Sequence, residues 1–163
     1  MREIWHEIVV NCTPERLFEA VSSSEAIAHW WTIGATGDGT EGGTLEFWFS
    51  GFRATVARVE RQEAPLYILW RICDGELKDW LGTEIEFCIT PSNGRSMLHL
   101  RHTKWSDEAS SFPHCSFGWA TFLLSLKEYA ETGKGRPFPY DLPINLWTPP
   151  DAVEAVHLEA SQR

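Results

Sequence analysis

The sequence contains few cysteines, and their spacing argues against two kinds of site. Cys12, Cys73, Cys88 and Cys115 are widely separated, with no C-x-x-C pair and no histidine at a spacing typical of zinc ligands. Disulfide frameworks concentrate cysteines in a short chain, and structural zinc sites need closely spaced ligand pairs. We therefore expect free thiols, no metal site and a reducing, cytoplasmic setting.

Positive charge and long apolar segments are also scarce. The chain has 14 Lys and Arg against 23 Asp and Glu, which gives a formal net charge of −9. Such a charge repels phosphate backbones and anionic lipid, so we expect neither a nucleic-acid nor a membrane partner. No apolar run approaches the roughly 20 residues that are needed to cross a bilayer.

Aromatic residues, in contrast, are abundant. The 163 residues include nine tryptophans and nine phenylalanines, and aromatic side chains make up 13% of the chain. The length predicts one domain with a sizeable hydrophobic core. Large flat rings either fill such a core or line a concave apolar site, and composition alone leaves both interpretations open.

Apolar periodicity predicts the order of the secondary-structure elements. A strand over residues 2–10 precedes a helix that begins at Thr13-Pro14-Glu15, and a second short helix follows Ser24. The glycine-rich segment 34–43 is predicted to be a loop. Alternation with a period of two predicts five strands between residues 44 and 103, and helical periodicity returns over residues 112–132.

This order of elements predicts an α+β fold. Five consecutive strands with short connections must be mostly antiparallel, and one apolar face of their sheet must be covered. The C-terminal helix, about 30 Å long at about 1.5 Å per residue, is the only predicted element of sufficient length. We expect a curved antiparallel sheet of about six strands wrapped around this long C-terminal helix, with two short helices after the first strand and a cavity between sheet and helix.

Seven short segments, taken in chain order, are similar to a known family. They are Pro14-Glu15-Arg16-Leu17-Phe18-Glu19-Ala20, Trp30-Trp31, Gly42-Gly43-Thr44-Leu45-Glu46-Phe47, Leu66 to Trp70, Leu98 to His102, Gly118-Trp119-Ala120 and Leu123 to Leu126. In this order they resemble the START-like helix-grip (SRPBCC) superfamily, and specifically its branch similar to the C-terminal domain of the activator of Hsp90 ATPase. The resemblance implies a helix-grip domain over residues 1–137, from which the proline-rich C-terminal extension, residues 138–163, departs.

Strand parity predicts which side chains turn towards the long helix. We expect the ligand-binding set to be Trp31, Phe47, Phe49, Trp70, Ile85, Phe87, Leu98, Leu100, His102, Trp105 and Trp119. Trp31 and Trp105 lie in or beside loops and are predicted at the mouth of the cavity. The alternative interpretation is that the whole set forms a plain hydrophobic core.

His102 is the polar member of this set. Residues three apart on a strand point to opposite faces, so His99 and His102 are not expected to hold one metal ion together. Buried imidazole can be a structural hydrogen-bonding group, a ligand contact or a neutral general base, since its ordinary pKa of about 6.5 falls with burial. The sequence leaves these three roles open and identifies no catalytic residue.

Three functions stay open on the sequence alone. The first is a small protein that binds an apolar or aromatic small molecule between sheet and helix, and the second is a cyclase- or hydrolase-like enzyme that uses the same cavity. The third, implied by the resemblance, is a chaperone-regulating interaction module, and a homodimer is compatible with any of them. Gly37–Gly42 matches G-x-G-x-x-G but lies between a helix and a strand, the reverse of a dinucleotide site, so no cofactor is expected.

Overall fold

The computed structural model describes residues 1–144, in which one antiparallel sheet curves around a long helix. The elements in chain order are β1 (Arg2–Val10), α1 (Pro14–Ser22), α2 (Ser24–Ile27), β2 (Gly34–Gly37), β3 (Thr44–Phe49), β4 (Phe52–Glu63), β5 (Tyr67–Asp74), a 3-10 helix (Lys78–Trp80), β6 (Glu84–Ser92), β7 (Arg95–Trp105) and α3 (Phe112–Thr132). The α+β helix-grip prediction is thereby confirmed. Residues 145–163, most of the predicted extension, lie outside the described part.

The sheet has seven strands in the order β1-β7-β6-β5-β4-β3-β2, and every pairing is antiparallel. The strand that the sequence does not predict is β2, so the prediction of a loop over residues 34–43 is wrong for its first four residues. A methyl group on Gly34 would lie 2.5 Å from the Trp48 carbonyl oxygen, and one on Gly37 would lie 2.2 Å from that of Thr44. The glycines of β2 therefore allow β3 to approach closely, and they do not mark a loop.

The ends of α1 and α3 follow the predicted local chemistry, whereas the cap of α2 is Ser23, one residue before the predicted Ser24. Thr13 Oγ1 accepts a hydrogen bond from the Arg16 amide at 3.2 Å, and Ser23 Oγ accepts one from the Ala26 amide at 3.3 Å. These side chains satisfy amide groups that the first turns of α1 and α2 leave without intrahelical partners. Gly133, with a φ of 82°, ends α3 in the left-handed conformation that favours glycine.

The inner face of the sheet forms from strand residues of one parity. Trp70 on β5 pairs with Ile85 on β6, and Ile85 pairs with His102 on β7, so the three side chains share one face. The next row towards the other end of these strands is Ile68, Phe87 and Leu100, and all six side chains are buried. Because α3 buries Cys115, Trp119, Phe122 and Leu126, it supplies the layer that covers this face.

The chain after α3 returns to the edge of the sheet. The Phe138 amide donates to the Trp31 carbonyl at 2.8 Å, and the Ile33 amide donates to the Phe138 carbonyl at 3.1 Å. The Phe138 ring packs against Phe49 at a centroid distance of 5.1 Å. Phe138, the first residue of the predicted extension, therefore fixes the segment that contains Trp31.

Gly118→Ala is expected to raise the free energy of unfolding by about 0.5–1 kcal/mol, because alanine is the better residue in a helix interior. Among the described residues, the nearest atom to the new methyl group is Ile144 Cδ1 at 4.0 Å, an ordinary contact. Urea unfolding measures the change. Gly135→Ala is the control with the opposite sign, because its methyl group would lie 2.5 Å from the His29 carbonyl oxygen. Destabilisation by Gly118→Ala would contradict the prediction.

Candidate functional site

The Trp31 ring lies at the centre of a cluster of aromatic rings between the sheet and α3. We define the aromatic cluster as Trp30, Trp31, Phe47, Phe49, Trp70, Trp80, Phe87, Trp105 and Trp119. The centroid of the Trp31 ring lies between 4.4 and 6.5 Å from those of six neighbours: Trp30, Phe47, Phe49, Trp70, Trp80 and Trp119. These separations are typical of favourable ring contacts. One side chain from the segment after α2 therefore occupies the space between the two layers.

The structure brings most of the predicted site residues together on the inner face. Phe47, Trp70, Ile85, Phe87, Leu98, Leu100 and His102 are fully buried, Trp119 is buried on α3, and Phe49 is half-buried. Trp31 and Trp105, predicted at the mouth, are only 4% and 3% exposed. Ile85, Leu98 and Leu100 add aliphatic surface to the same face. The hydrophobic members of the predicted set thus belong to one hydrophobic core.

Trp80 belongs to the cluster although the sequence did not predict it. It lies in the 3-10 helix between β5 and β6, is buried, and donates from Nε1 to Cys115 Sγ at 3.1 Å. Asp79 beside it accepts from the Ser111 amide at 3.0 Å and the Ser111 hydroxyl at 2.8 Å, and these bonds lower the pKa of Asp79. The loop is thereby joined to the start of α3. The feature of the sequence that could have identified Trp80 is a large aromatic residue in the short connection between two predicted strands.

His102 lies beside the cluster in a hydrogen-bonded chain of buried side chains. Trp119 Nε1 donates to His102 Nδ1 at 3.1 Å, and His102 Nε2 lies 2.8 Å from Thr83 Oγ1. The Thr83 hydroxyl donates to the Trp80 carbonyl at 2.6 Å. Thr83 precedes β6, Trp119 lies on α3, and His102 lies on β7, so the chain connects loop, helix and sheet.

These partners determine the protonation state of the imidazole. An indole N–H can only donate, so His102 Nδ1 accepts and carries no proton. The Thr83 hydrogen is used on the Trp80 carbonyl, so the Thr83 oxygen accepts the Nε2 proton. Burial lowers the pKa of His102 to about 3, which matches a neutral ring. Because both nitrogens have protein partners, His102 in this arrangement has no free lone pair for a substrate proton.

The other face of the sheet separates the two strand histidines as predicted. His99 Nε2 lies 2.6 Å from Glu7 Oε2 on the outer face, whereas His102 is buried on the inner face. No group of three His, Cys, Asp or Glu side chains within residues 1–144 could hold a metal ion. The four cysteines are free thiols, as their spacing predicts. No helix in the described part of the chain is long and apolar enough to cross a membrane.

Comparisons with known proteins agree with this architecture. Residues 11–131 match the family described as Activator of Hsp90 ATPase homolog 1-like protein. None of the curated proteins compared with the chain matches it.

Solved structures extend the likeness over most of the domain. The Aha1 dimer from Colwellia psychrerythraea is 30% identical, with a TM-score of 0.75, and the match covers 83% of this chain and 100% of that one. A Staphylococcus saprophyticus protein, 20% identical with a TM-score of 0.68, matches over 83% of this chain and 97% of its own. CalU16 from Micromonospora echinospora, also 20% identical with a TM-score of 0.65, matches over 81% and 78%. At 20% identity, the Staphylococcus saprophyticus protein and CalU16 show only that their fold is similar to that of this chain.

Proposed function

Because the chain belongs to the family of Activator of Hsp90 ATPase homolog 1-like proteins, we propose that it binds one apolar or aromatic small molecule between the sheet and α3. The observation that supports this proposal is the ring environment of Trp31. Six aromatic side chains surround one indole there, and the same surroundings suit a flat ligand that takes the place of the Trp31 ring.

The position of Trp31 in the chain supports an exchange between side chain and ligand. Phe47, Trp70 and Trp119 project from two strands and a helix, whereas Trp31 lies in the irregular segment between α2 and β2. Main-chain hydrogen bonds to Phe138 hold this segment. Because the segment lies outside the seven paired strands and α3, outward movement of the Trp31 ring breaks no sheet pairing and disturbs only the local bonds to Ile27 and Phe138.

Binding is favoured over cyclase- or hydrolase-like chemistry in the same place. His102 and Cys115 are buried titratable groups beside the cluster. Both ring nitrogens of His102 have protein partners, and burial raises the pKa of the Cys115 thiol to about 12, so the thiol stays protonated. A general base needs a free lone pair within hydrogen-bond reach of the substrate proton. The free thiols are compatible with the reducing, cytoplasmic setting that we propose for this binding protein.

A second candidate function is a protein-interaction module that works as a homodimer or on a chaperone. The 30% identity to the Aha1 dimer from Colwellia psychrerythraea favours it. So do Phe117 and Leu124, two exposed apolar side chains seven positions apart on one face of α3. Apolar helix surface of this kind is suited to a protein partner.

Native mass spectrometry of the gently purified protein tests both functions. We expect a monomer with excess mass that disappears on denaturation, or that appears after incubation with indole. A dimer mass that Phe117→Glu abolishes would support the second candidate instead. A bare monomer under both conditions would contradict the binding function, and Trp119, which contacts Trp31 at 5.0 Å, would then have a purely structural role.

A further inference from the structure

Two buried polar atoms beside the aromatic cluster have no hydrogen-bond partner in the protein. Within residues 1–144 the buried side-chain polar atoms without a partner are Arg2 Nε, Thr55 Oγ1 and Trp70 Nε1. Trp70 is 0% exposed and Thr55 is 1% exposed, so bulk water does not reach either side chain. Buried polar groups are nearly always paired, because an unpaired one loses its hydration without compensation.

Both atoms belong to the face on which Trp31 packs. Thr55 on β4 pairs with Phe47 on β3, so their side chains lie side by side on the inner face. The Trp70 ring, on the strand beyond β4, lies 5.5 Å from the Phe47 ring. Phe47 and Trp70 both contact Trp31, at 4.4 and 6.5 Å. The two unpaired atoms therefore belong to two neighbours of Phe47, the ring against which the proposed ligand would stack.

We propose that the ligand is a flat aromatic compound of about indole size that carries a carbonyl oxygen. This inference rests on the proposed binding function and specifies its ligand class. Trp70 Nε1 can only donate, so it requires an acceptor, and a carbonyl oxygen has two lone pairs. The Thr55 hydroxyl supplies a second polar contact in the same site. The ring neighbours of Trp70 include Phe47 and Phe87, whose π faces are weaker acceptors than a carbonyl oxygen.

Two probes of nearly equal shape test this inference: indane, which is purely hydrocarbon, and 1-indanone, which adds one carbonyl oxygen. Each is titrated into the full-length protein and into Trp70→Phe and Thr55→Val. Affinity is measured by NMR, and the indole N–H resonance of Trp70 is identified by its loss in Trp70→Phe. Thr55→Val is nearly isosteric, so it removes the hydroxyl with little change of volume. Because Trp70→Phe changes the size of the site, the decisive quantity is the ratio of the two affinities within each protein.

We expect 1-indanone to bind the unmodified protein about tenfold more tightly than indane. The Trp70 indole N–H resonance should shift with 1-indanone much more than with indane. The affinity ratio should fall to about one in Trp70→Phe and should decrease in Thr55→Val.

The other outcomes would contradict either the carbonyl inference alone or the binding function as well. Equal affinities of the two probes would overturn the carbonyl inference and leave the binding function intact. An affinity ratio that survives in Trp70→Phe would also overturn it. Failure of both probes to bind would overturn the binding function together with the inference. If Trp70→Phe does not fold, the Trp70 indole resonance is assigned in the unmodified protein by its nuclear Overhauser effects to the Phe47 and Phe87 rings. That resonance and the Thr55→Val ratio then decide the question.

Discussion

Trp31→Ala is expected to lower the free energy of unfolding by about 3–5 kcal/mol, the range for removing a large aromatic side chain from a core. The indole contacts six other rings and is almost fully buried, so its loss leaves space that the regular elements around it cannot close. Urea unfolding of the variant and of the unmodified protein gives the difference. The control is Trp5→Ala, the same substitution at a side chain that is 62% exposed, where we expect a loss below about 1 kcal/mol.

The space left by Trp31→Ala should accept a free ring of the size removed. We expect added indole to raise the melting temperature of this variant in a concentration-dependent way, because a ligand that binds only the folded state stabilises it. Trp5→Ala should show no such response. A loss of less than 1 kcal/mol in Trp31→Ala, or no response of that variant to indole, would mean that the cluster can close around the missing ring.

The second large effect is a loss of stability in mild acid that originates at His102. Its pKa is about 3 in the folded protein, against about 6.5 in an unfolded chain. Between these values the unfolded state binds the extra proton, so stability is complete above about pH 6.5 and falls as the pH decreases towards 3. The slope contributed by this one group reaches about 1.4 kcal/mol per pH unit. Urea unfolding at pH 7, 6, 5 and 4.5 measures it.

His102→Gln isolates this effect from the other titrating groups. Glutamine can accept from Trp119 through its amide oxygen and donate to Thr83 through its amide nitrogen, but it does not titrate. The carboxylates whose pKa is lowered, among them Asp74, Asp79 and Glu131, lose their contribution only as the pH falls below about 5, so they overlap the His102 window at its lower end. We expect the variant to have a flatter profile from pH 6.5 to 4.5. An unchanged slope would show that the acid sensitivity comes from elsewhere.

The residues on the inner face of the sheet could be predicted from the sequence, because the alternation of apolar and polar residues strongly restricts the register of each strand. A shift of one residue on β6 would turn Ile85, Phe87 and Ile89 outward together, so only one register buries them. The same argument placed His102 correctly, since it shares the parity of Leu98 and Leu100 on β7. The N-cap at Thr13 and the glycine that ends α3 could also be predicted, because both depend only on neighbouring residues in the chain. The structure contains both.

The centre of the candidate site could not be predicted in this way. Trp31 and Trp80 lie outside the strands and long helices, where periodicity does not predict side-chain direction. Their burial depends on contacts with Phe138 and Cys115, which are distant in the chain. The partners of His102 likewise come from two other elements, with no spacing that would reveal them. β2 was missed because its glycines, which permit close strand approach, are also the residues of loops.

The aromatic cluster has a consequence for the optical behaviour of the protein. Six of the nine tryptophans belong to it, and Trp31 lies 5.0 Å from Trp119 and 6.0 Å from Trp30. Indoles this close exchange excitation energy before they emit, and their transition dipoles couple. Ultraviolet emission and near-ultraviolet dichroism of the folded chain therefore belong largely to the cluster as one chromophore, and displacement of a single ring changes the signal of all its members.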